Sequence, residues 1–254
     1  MLKYEIIDNN KSEWVVFIHG IGGSTRTWGR QVEAFSEKYN LLLLDLPGHG
    51  SNASNVIHKV DVNRLNKGIC DTLDHLNIES AHFVGLSLGT IVVTQFAIQY
   101  PSYVKGIILG GAALLMKGLT KQYVIWANMI KRFMPFKALC KFFAWFLLPK
   151  KNHKKSRNIF VREAIKLDKH TMWAWMDYLK TTLHPEKMLE QLNSLNKRIL
   201  FISGNEDHCF LSGIKFINKH LVASKLKILE HCGHVCSIEQ AFNFNQCAVA
   251  FLAA

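Results

Sequence analysis

Residues 81–97 constrain this chain more than any other stretch. Ala81 to Val84 is apolar, Gly85-Leu86-Ser87-Leu88-Gly89 follows, and Ile91, Val92, Phe96 and Ala97 recur at helical spacing. The pattern predicts a strand, a sharp turn and a helix, with Ser87 at the apex. So tight a turn strains the apical backbone and presses the helix against the strand. Side chains two before and two after the serine would collide, which accounts for the glycines at 85 and 89. The hydroxyl is then exposed at the carboxyl end of the sheet, beside the positive end of a helix.

The flanking chain repeats this rhythm. Strands are predicted at 2–8, 13–19, 41–45, 81–86, 105–113, 198–204 and 225–230. Helices are predicted at 27–38, 61–76, after Ser87 as far as Pro101, near 211–221 and at 238–252. Strands alternating with helices imply a mostly parallel sheet covered on both faces. The rhythm breaks at 114. From there to about 190 the chain reads as helical, punctuated by Pro135, Pro149 and Pro185. The division expected is a core of 1–113 and 191–254 with a helical insertion at 114–190.

The insertion also holds the charge. It carries thirteen lysines and three arginines against five acids, +11 of a total formal charge of +12. Lys131 to Lys155 interleaves these with Phe133, Phe136, Phe142, Phe143, Trp145 and Phe146. Three readings stay open: a solvated outer face, attraction of an anionic substrate, or weak contact with an anionic membrane surface. No recognition motif accompanies the basic residues, so no nucleic acid is expected. No apolar run is long enough to span a bilayer and the N-terminus lacks an apolar secretory core, so a cytoplasmic location is expected. Six scattered cysteines then read as reduced thiols.

Five motifs in order carry a resemblance: His19-Gly20-Ile21-Gly22-Gly23, Asp45-Leu46-Pro47-Gly48-His49-Gly50, Gly85-Leu86-Ser87-Leu88-Gly89, Gly204-Asn205-Glu206-Asp207 and Cys232-Gly233-His234. Together they resemble the α/β-hydrolases over nearly the whole core. The resemblance implies an α/β-hydrolase fold: an eight-stranded, mostly parallel sheet flanked by helices, with a helical lid inserted after strand six. It also implies the chain order nucleophile, acid, histidine. A serine hydroxyl needs a base to remove its proton and a carboxylate to hold that base in the right tautomer. Ser87, Asp207 and His234 fit those roles as the catalytic residues. His231, at the end of its strand, competes with His234, which matches the family position after glycine. Glu206 competes with Asp207 and is expected to point elsewhere, toward solvent. No Asp or Glu lies in 106–116, where some relatives carry the acid. Serine at 87 excludes the relatives with an aspartate nucleophile.

By family position, the backbone N–H groups of Ile21 and Leu88 form the oxyanion hole. His19 and His49 read as residues that fix loops. Cys232 and Cys236 straddle His234 with Cys209 upstream, but no second paired ligand motif accompanies them, so neither a metal nor another cofactor is expected. The activity implied is hydrolysis of a carboxylic ester, lactone or thioester on a small-molecule substrate, one that the basic insertion could select as an anion. Trp14 to Gly50 is also similar to the menaquinone-pathway synthases, lyases acting on a polyanionic substrate; where their turn continues Gly-Gly-Arg, this chain has Gly89-Thr90-Ile91. The remaining alternatives are a carbon–carbon hydrolase using the same triad and a non-catalytic ligand-binding member of the fold.

Overall fold

The computed structural model describes residues 1–116, 122, 125, 126, 129–131, 133–181 and 185–254. Among them seven strands form one sheet: β1 (Lys3–Ile7), β2 (Trp14–Ile18), β3 (Asn40–Asp45), β4 (Ala81–Leu86), β5 (Val104–Gly110), β6 (Arg198–Gly204) and β7 (Ser224–Leu229). Their order across the sheet is β1-β3-β2-β4-β5-β6-β7. β1 runs antiparallel to β3, and every other neighbouring pair is parallel.

The helices are α1 (Val32–Ser36), α2 (Val62–His75), α3 (Leu88–Gln99), α4 (Phe136–Leu147), α5 (Lys154–Ala164), α6 (Lys169–Thr181), α7 (Pro185–Ser194), α8 (Leu211–His220), α9 (Cys236–Glu239) and α10 (Ala241–Ala253). Alternate strand residues feed two cores, as period-2 geometry requires. Val16, Ile18, Leu42 and Leu44 pack with Leu65, Ile69 and Leu73 of α2, Ile91 and Phe96 of α3, and Ile214 of α8. Val15, Phe17, Leu41 and Leu43 pack on the other face with Phe35 of α1 and Phe244 and Leu252 of α10. That two-sided burial is why β3 reads as an unbroken apolar run.

Three expectations change. The described sheet has seven strands where the resemblance implied eight, and the helical segment follows β5. At the antiparallel edge β1 is outermost and keeps Lys3 and Glu5 exposed, a charged rim that discourages further pairing. The helix expected at 27–38 is a 3-10 turn at Thr25–Trp28 followed by α1. Gly29 is a weak helix former, and the buried Gln31 amide is drawn off to donate to the Ser237 carbonyl (2.8 Å). The closing helix expected at 238–252 is split at Gln240 into α9 and α10.

Between β5 and β6 lie α4 to α7, and α7 ends at Ser194, four residues beyond the expected boundary. Residues 117–121, 123, 124, 127, 128, 132 and 182–184 of the expected lid lie outside the described residues. The segment is tied to the core at separate points. Trp175 Nε1 donates to the Pro47 carbonyl (3.1 Å), and Thr171 Oγ1 accepts from the Ile57 N–H (3.1 Å). Near residue 150, Lys150 and His153 reach Glu206. Its own small core gathers Cys140, Ala164, Leu167, Met172 and Met176. Among the described residues no helix is long and apolar enough to cross a membrane.

Candidate active site

The sheet order reverses between β2 and β4, so the loops leaving their carboxyl ends part there and open a crevice. Ser87 follows β4 at that point. Its φ of 52° and ψ of −117° place a non-glycine residue in a costly region, worth about 1–3 kcal/mol of strain. The surroundings impose it. Ser87 N–H donates to the Gly110 carbonyl (2.9 Å), and Thr90 Oγ1 donates to the Ser87 carbonyl while accepting from the Ala113 N–H (3.1 Å). A Cβ on Gly85 would stand 2.7 Å from the Gly89 carbonyl oxygen, and one on Gly89 would stand 2.1 Å from that of Ile18. Both glycines are therefore steric requirements of the turn.

His234 comes from the loop after β7 and Asp207 from the loop after β6. His234 Nε2 lies 2.8 Å from Ser87 Oγ, and its Nδ1 lies 2.9 Å from Asp207 Oδ2. In the neutral imidazole this geometry has Nδ1–H donating to the carboxylate and Nε2 accepting from the hydroxyl. Asp207 is fully buried, and a carboxylate there is tenable because it is paired. Its other oxygen accepts from the Phe210 N–H (3.2 Å), and the Phe210 ring packs 4.8 Å from the imidazole. His231 is exposed, and its carbonyl accepts from Asn152 (3.4 Å).

Two loop amides flank the serine. The Gly22 N–H is committed to His49 Nε2 (3.1 Å) and the Gly23 N–H to the Gly20 carbonyl (3.0 Å). Those of Ile21 and Leu88 donate to no protein acceptor among the described residues, and both residues line a pocket with Ser87. His19 and His49 fix these loops, as their positions suggested. His19 Nε2 accepts from the Leu46 N–H (3.1 Å) while its Nδ1 donates to the Gly20 carbonyl (2.8 Å). Burial pushes His49 down to about 3 and lowers His19, so both stay neutral.

Glu206 does turn away from His234, but not into solvent, which corrects the expectation for it. Its side chain is 11% exposed and meets Lys150 Nζ (2.9 Å), Asn152 Nδ2 (2.8 Å) and His153 Nε2 (2.8 Å). Hydrogen bonds from Asn152, then Lys150, hold its carboxyl down at about 2. Glu239 was not foreseen. Its carboxylate accepts from the N–H groups of Gly233 (2.9 Å) and Val235 (3.1 Å), the residues on either side of His234. His153 Nε2 also stands 3.6 Å from it. The sequence offered one trace of this clamp, an acid five residues after His234.

All six cysteines are free. Burial pushes the Cys232 and Cys236 thiols up, so they remain protonated. Among the described residues no group of three or more His, Cys, Asp or Glu is arranged to hold a metal ion.

The pocket over Ser87 is walled by α4, α5 and α6. Leu139, Phe143, Phe146, Met172 and Met176 line it together with Ile21 and Phe210, and Ser87 supplies the one polar side chain among its described lining residues. A second pocket opens from Ser87 on the His234 side, past Gly20–Gly23 to Val235 and Ile238, with Ser156, Thr27 and Glu163 among its polar neighbours.

Known proteins resemble this chain in sequence and in fold. A 2-hydroxy-6-oxononadienedioate/2-hydroxy-6-oxononatrienedioate hydrolase of Paraburkholderia phymatum is 29% identical over 94% of this chain and 87% of its own length. A 2-succinyl-6-hydroxy-2,4-cyclohexadiene-1-carboxylate synthase of Escherichia coli is 38% identical, over 39% of this chain and 38% of its own. The solved enol-lactonase of Burkholderia xenovorans superposes with a TM-score of 0.83 at 20% identity, covering 100% of this chain and 96% of that one. The model of the alpha/beta hydrolase fold matches residues 13–241, and the chain belongs to that family.

Proposed function

We propose that the protein is a serine hydrolase cleaving a carboxylic ester, lactone or thioester through an acyl-enzyme. The observation that carries this reading is the unbroken run Ser87 Oγ, His234 Nε2, His234 Nδ1, Asp207 Oδ2, at 2.8 and 2.9 Å, at the mouth of an apolar pocket. Ser87 Oγ bonds the carbonyl carbon as its proton passes to His234 Nε2 and the C=O π pair moves onto oxygen. The N–H groups of Ile21 and Leu88 stabilise that oxyanion. Collapse expels the alkoxide or thiolate, which takes the proton from Nε2. Water then gives a proton to Nε2 and adds to the acyl carbon, and a second collapse returns Ser87 and releases the acid. Asp207 stays ionised, keeps the imidazole in its tautomer and stabilises the imidazolium.

A second reading, hydrolysis of a carbon–carbon bond in an anionic substrate, is favoured by the likeness to the dienedioate hydrolase over 94% of the chain. The described lining of the apolar pocket provides no cation for a carboxylate, and leaving that charge unpaired would cost several kcal/mol. The ester reading is therefore preferred. Turnover of p-nitrophenyl esters and of a 2-hydroxy-6-oxo dienoate, compared at equal enzyme, tests it. Ester turnover that disappears in Ser87→Ala is expected. Cleavage of the dienoate alone would transfer the assignment to the second reading.

A further inference from the structure

Two pockets meet at Ser87, and the proton path says which half of a substrate each one takes. We infer that the pocket walled by α4, α5 and α6 holds a neutral, extended acyl chain and that the pocket beside His234 holds an uncharged leaving group. This inference rests on the reading of Ser87 as the nucleophile. The leaving oxygen or sulfur must receive its proton from His234 Nε2, so that half of the substrate lies on the imidazole side of the carbonyl carbon. His234, Val235 and Ile238 line only the second pocket. The first has Leu88 of the oxyanion pair in its wall, excludes His234 and continues between Leu139, Phe143 and Met176. The acyl chain has that direction left to it.

The chemistry of each wall then sets the class of ligand. Among the described lining of the first pocket there is no acid, base, amide or hydroxyl apart from Ser87 itself. A carboxylate on the acyl chain would lose its water there and gain no partner. The positive insertion attracts anions from outside, but such attraction is screened within about a Debye length, ~8 Å at physiological salt, and does not reach into the pocket as a hydrogen bond would. Three lysines of the segment are committed elsewhere: Lys131 pairs with Asp177 (2.9 Å), Lys150 with Glu206 (2.9 Å) and Lys166 with Glu163 (2.6 Å). Glu163 lines the second pocket, and its pKa is lowered by hydrogen bonds from Lys166 and Arg162, which outweigh its partial burial. A negatively charged leaving group would find the cations beside that wall, Arg162 and Lys166, already paired with Glu163.

The test is a set of p-nitrophenyl esters of linear acids from two to twelve carbons, with the eight-carbon ester also made bearing a carboxylate at its far end, all at physiological salt. kcat/KM should climb roughly fourfold per added methylene, the factor equivalent to ~0.8 kcal/mol per buried CH₂, until the pocket is filled. The charged ester should fall about 100-fold below its neutral counterpart. Met176→Phe should shorten the best acyl length and Met176→Ala lengthen it. In a series of alcohols on one acyl group, Ile238→Phe should change the ranking and Met176→Ala should not. A flat acyl series, a charged ester within tenfold of the neutral one, or the two variants acting on the opposite series would overturn the assignment. If a neutral alkyl phosphonate still labels Ser87 in that event, only this inference fails. If it labels nothing, the nucleophile assignment fails with it.

Discussion

The carboxyl edge of the sheet and the helical segment above it are built on opposite principles. The edge is dense with directed bonds: two loop histidines, a buried carboxylate, a strained serine and a carboxylate clamp each hold one geometry. The segment facing it presents leucine, methionine and phenylalanine, held by packing. Directed bonds fix where a proton goes to within a few tenths of an ångström, whereas apolar packing accepts any ligand of fitting shape. On the proposed function, chemistry and selectivity are therefore divided between the two layers, and a substitution should disturb one or the other according to its layer.

The sharpest way to break the comparison is at the edge. Ser87→Ala should lower kcat by about 10⁵-fold or more, and adding His234→Ala should cost little beyond that, since the three residues act as a unit. The melting temperature should change little, because alanine keeps the Cβ and so meets the same positive-φ strain as serine. Kinetics and a melting curve on the same preparations check this; a single mutant retaining a tenth of the activity would end the assignment.

Asp207→Asn comes next, with kcat expected to fall by about 10⁴-fold because the amide favours the wrong imidazole tautomer. Its neighbour should behave differently. Glu206→Gln should change kcat by no more than a few fold, because its partners Lys150, Asn152 and His153 belong to the helical segment. What it should lower is Tm, in a pH-dependent way. The folded pKa of Glu206 is about 2 against an ordinary value of 4.5, so its stabilisation is complete above the ordinary value and is lost as pH falls toward 2. At neutral pH the charge-assisted bonds are worth about 1–2 kcal/mol after discounting for solvent. Melting curves of wild type and variant should differ at pH 6 and converge between pH 4.5 and 2. Equal curves at every pH would mean that the anchor contributes nothing.

Glu239→Gln should have a middling effect. Glutamine has a single acceptor oxygen, so one of the two N–H bonds flanking His234 is lost, and a displaced base costs up to about 10²-fold in kcat. KM should move little, because Glu239 lines neither pocket. A change in KM with kcat intact would place Glu239 in substrate binding instead. The smallest effect is expected at the outer face. Changing exposed Lys151, Lys154 and Lys155 together to glutamine should leave kcat/KM for neutral esters within about twofold and Tm unaltered or slightly raised, since like charges repel; steady-state kinetics and differential scanning check both.

The same division explains what could be read before the fold was known. Ser87 was legible because its turn demands Gly85 and Gly89, a constraint that acts over five residues. His19 and His49 were legible as loop residues for the same reason, since their bonds stay within two neighbouring motifs. The pocket was not. Phe143 faces inward and Trp145, two residues on, is 59% exposed, a choice made by how α4 packs rather than by either residue's chemistry. Glu206 was misplaced because its partner His153 lies 53 positions away in the chain. The eighth strand came from family resemblance, and no residue pattern in this chain called for it.

The central claim is that Ser87 is the nucleophile, activated by His234. Exposing the protein to an alkyl fluorophosphonate and mapping the adduct by peptide mass spectrometry tests it most directly. The account predicts one adduct, on Ser87, formed rapidly in the native protein, slowed by orders of magnitude in His234→Ala and missing from Ser87→Ala. Folded protein that takes up no reagent, or an adduct on a residue other than Ser87, would contradict it.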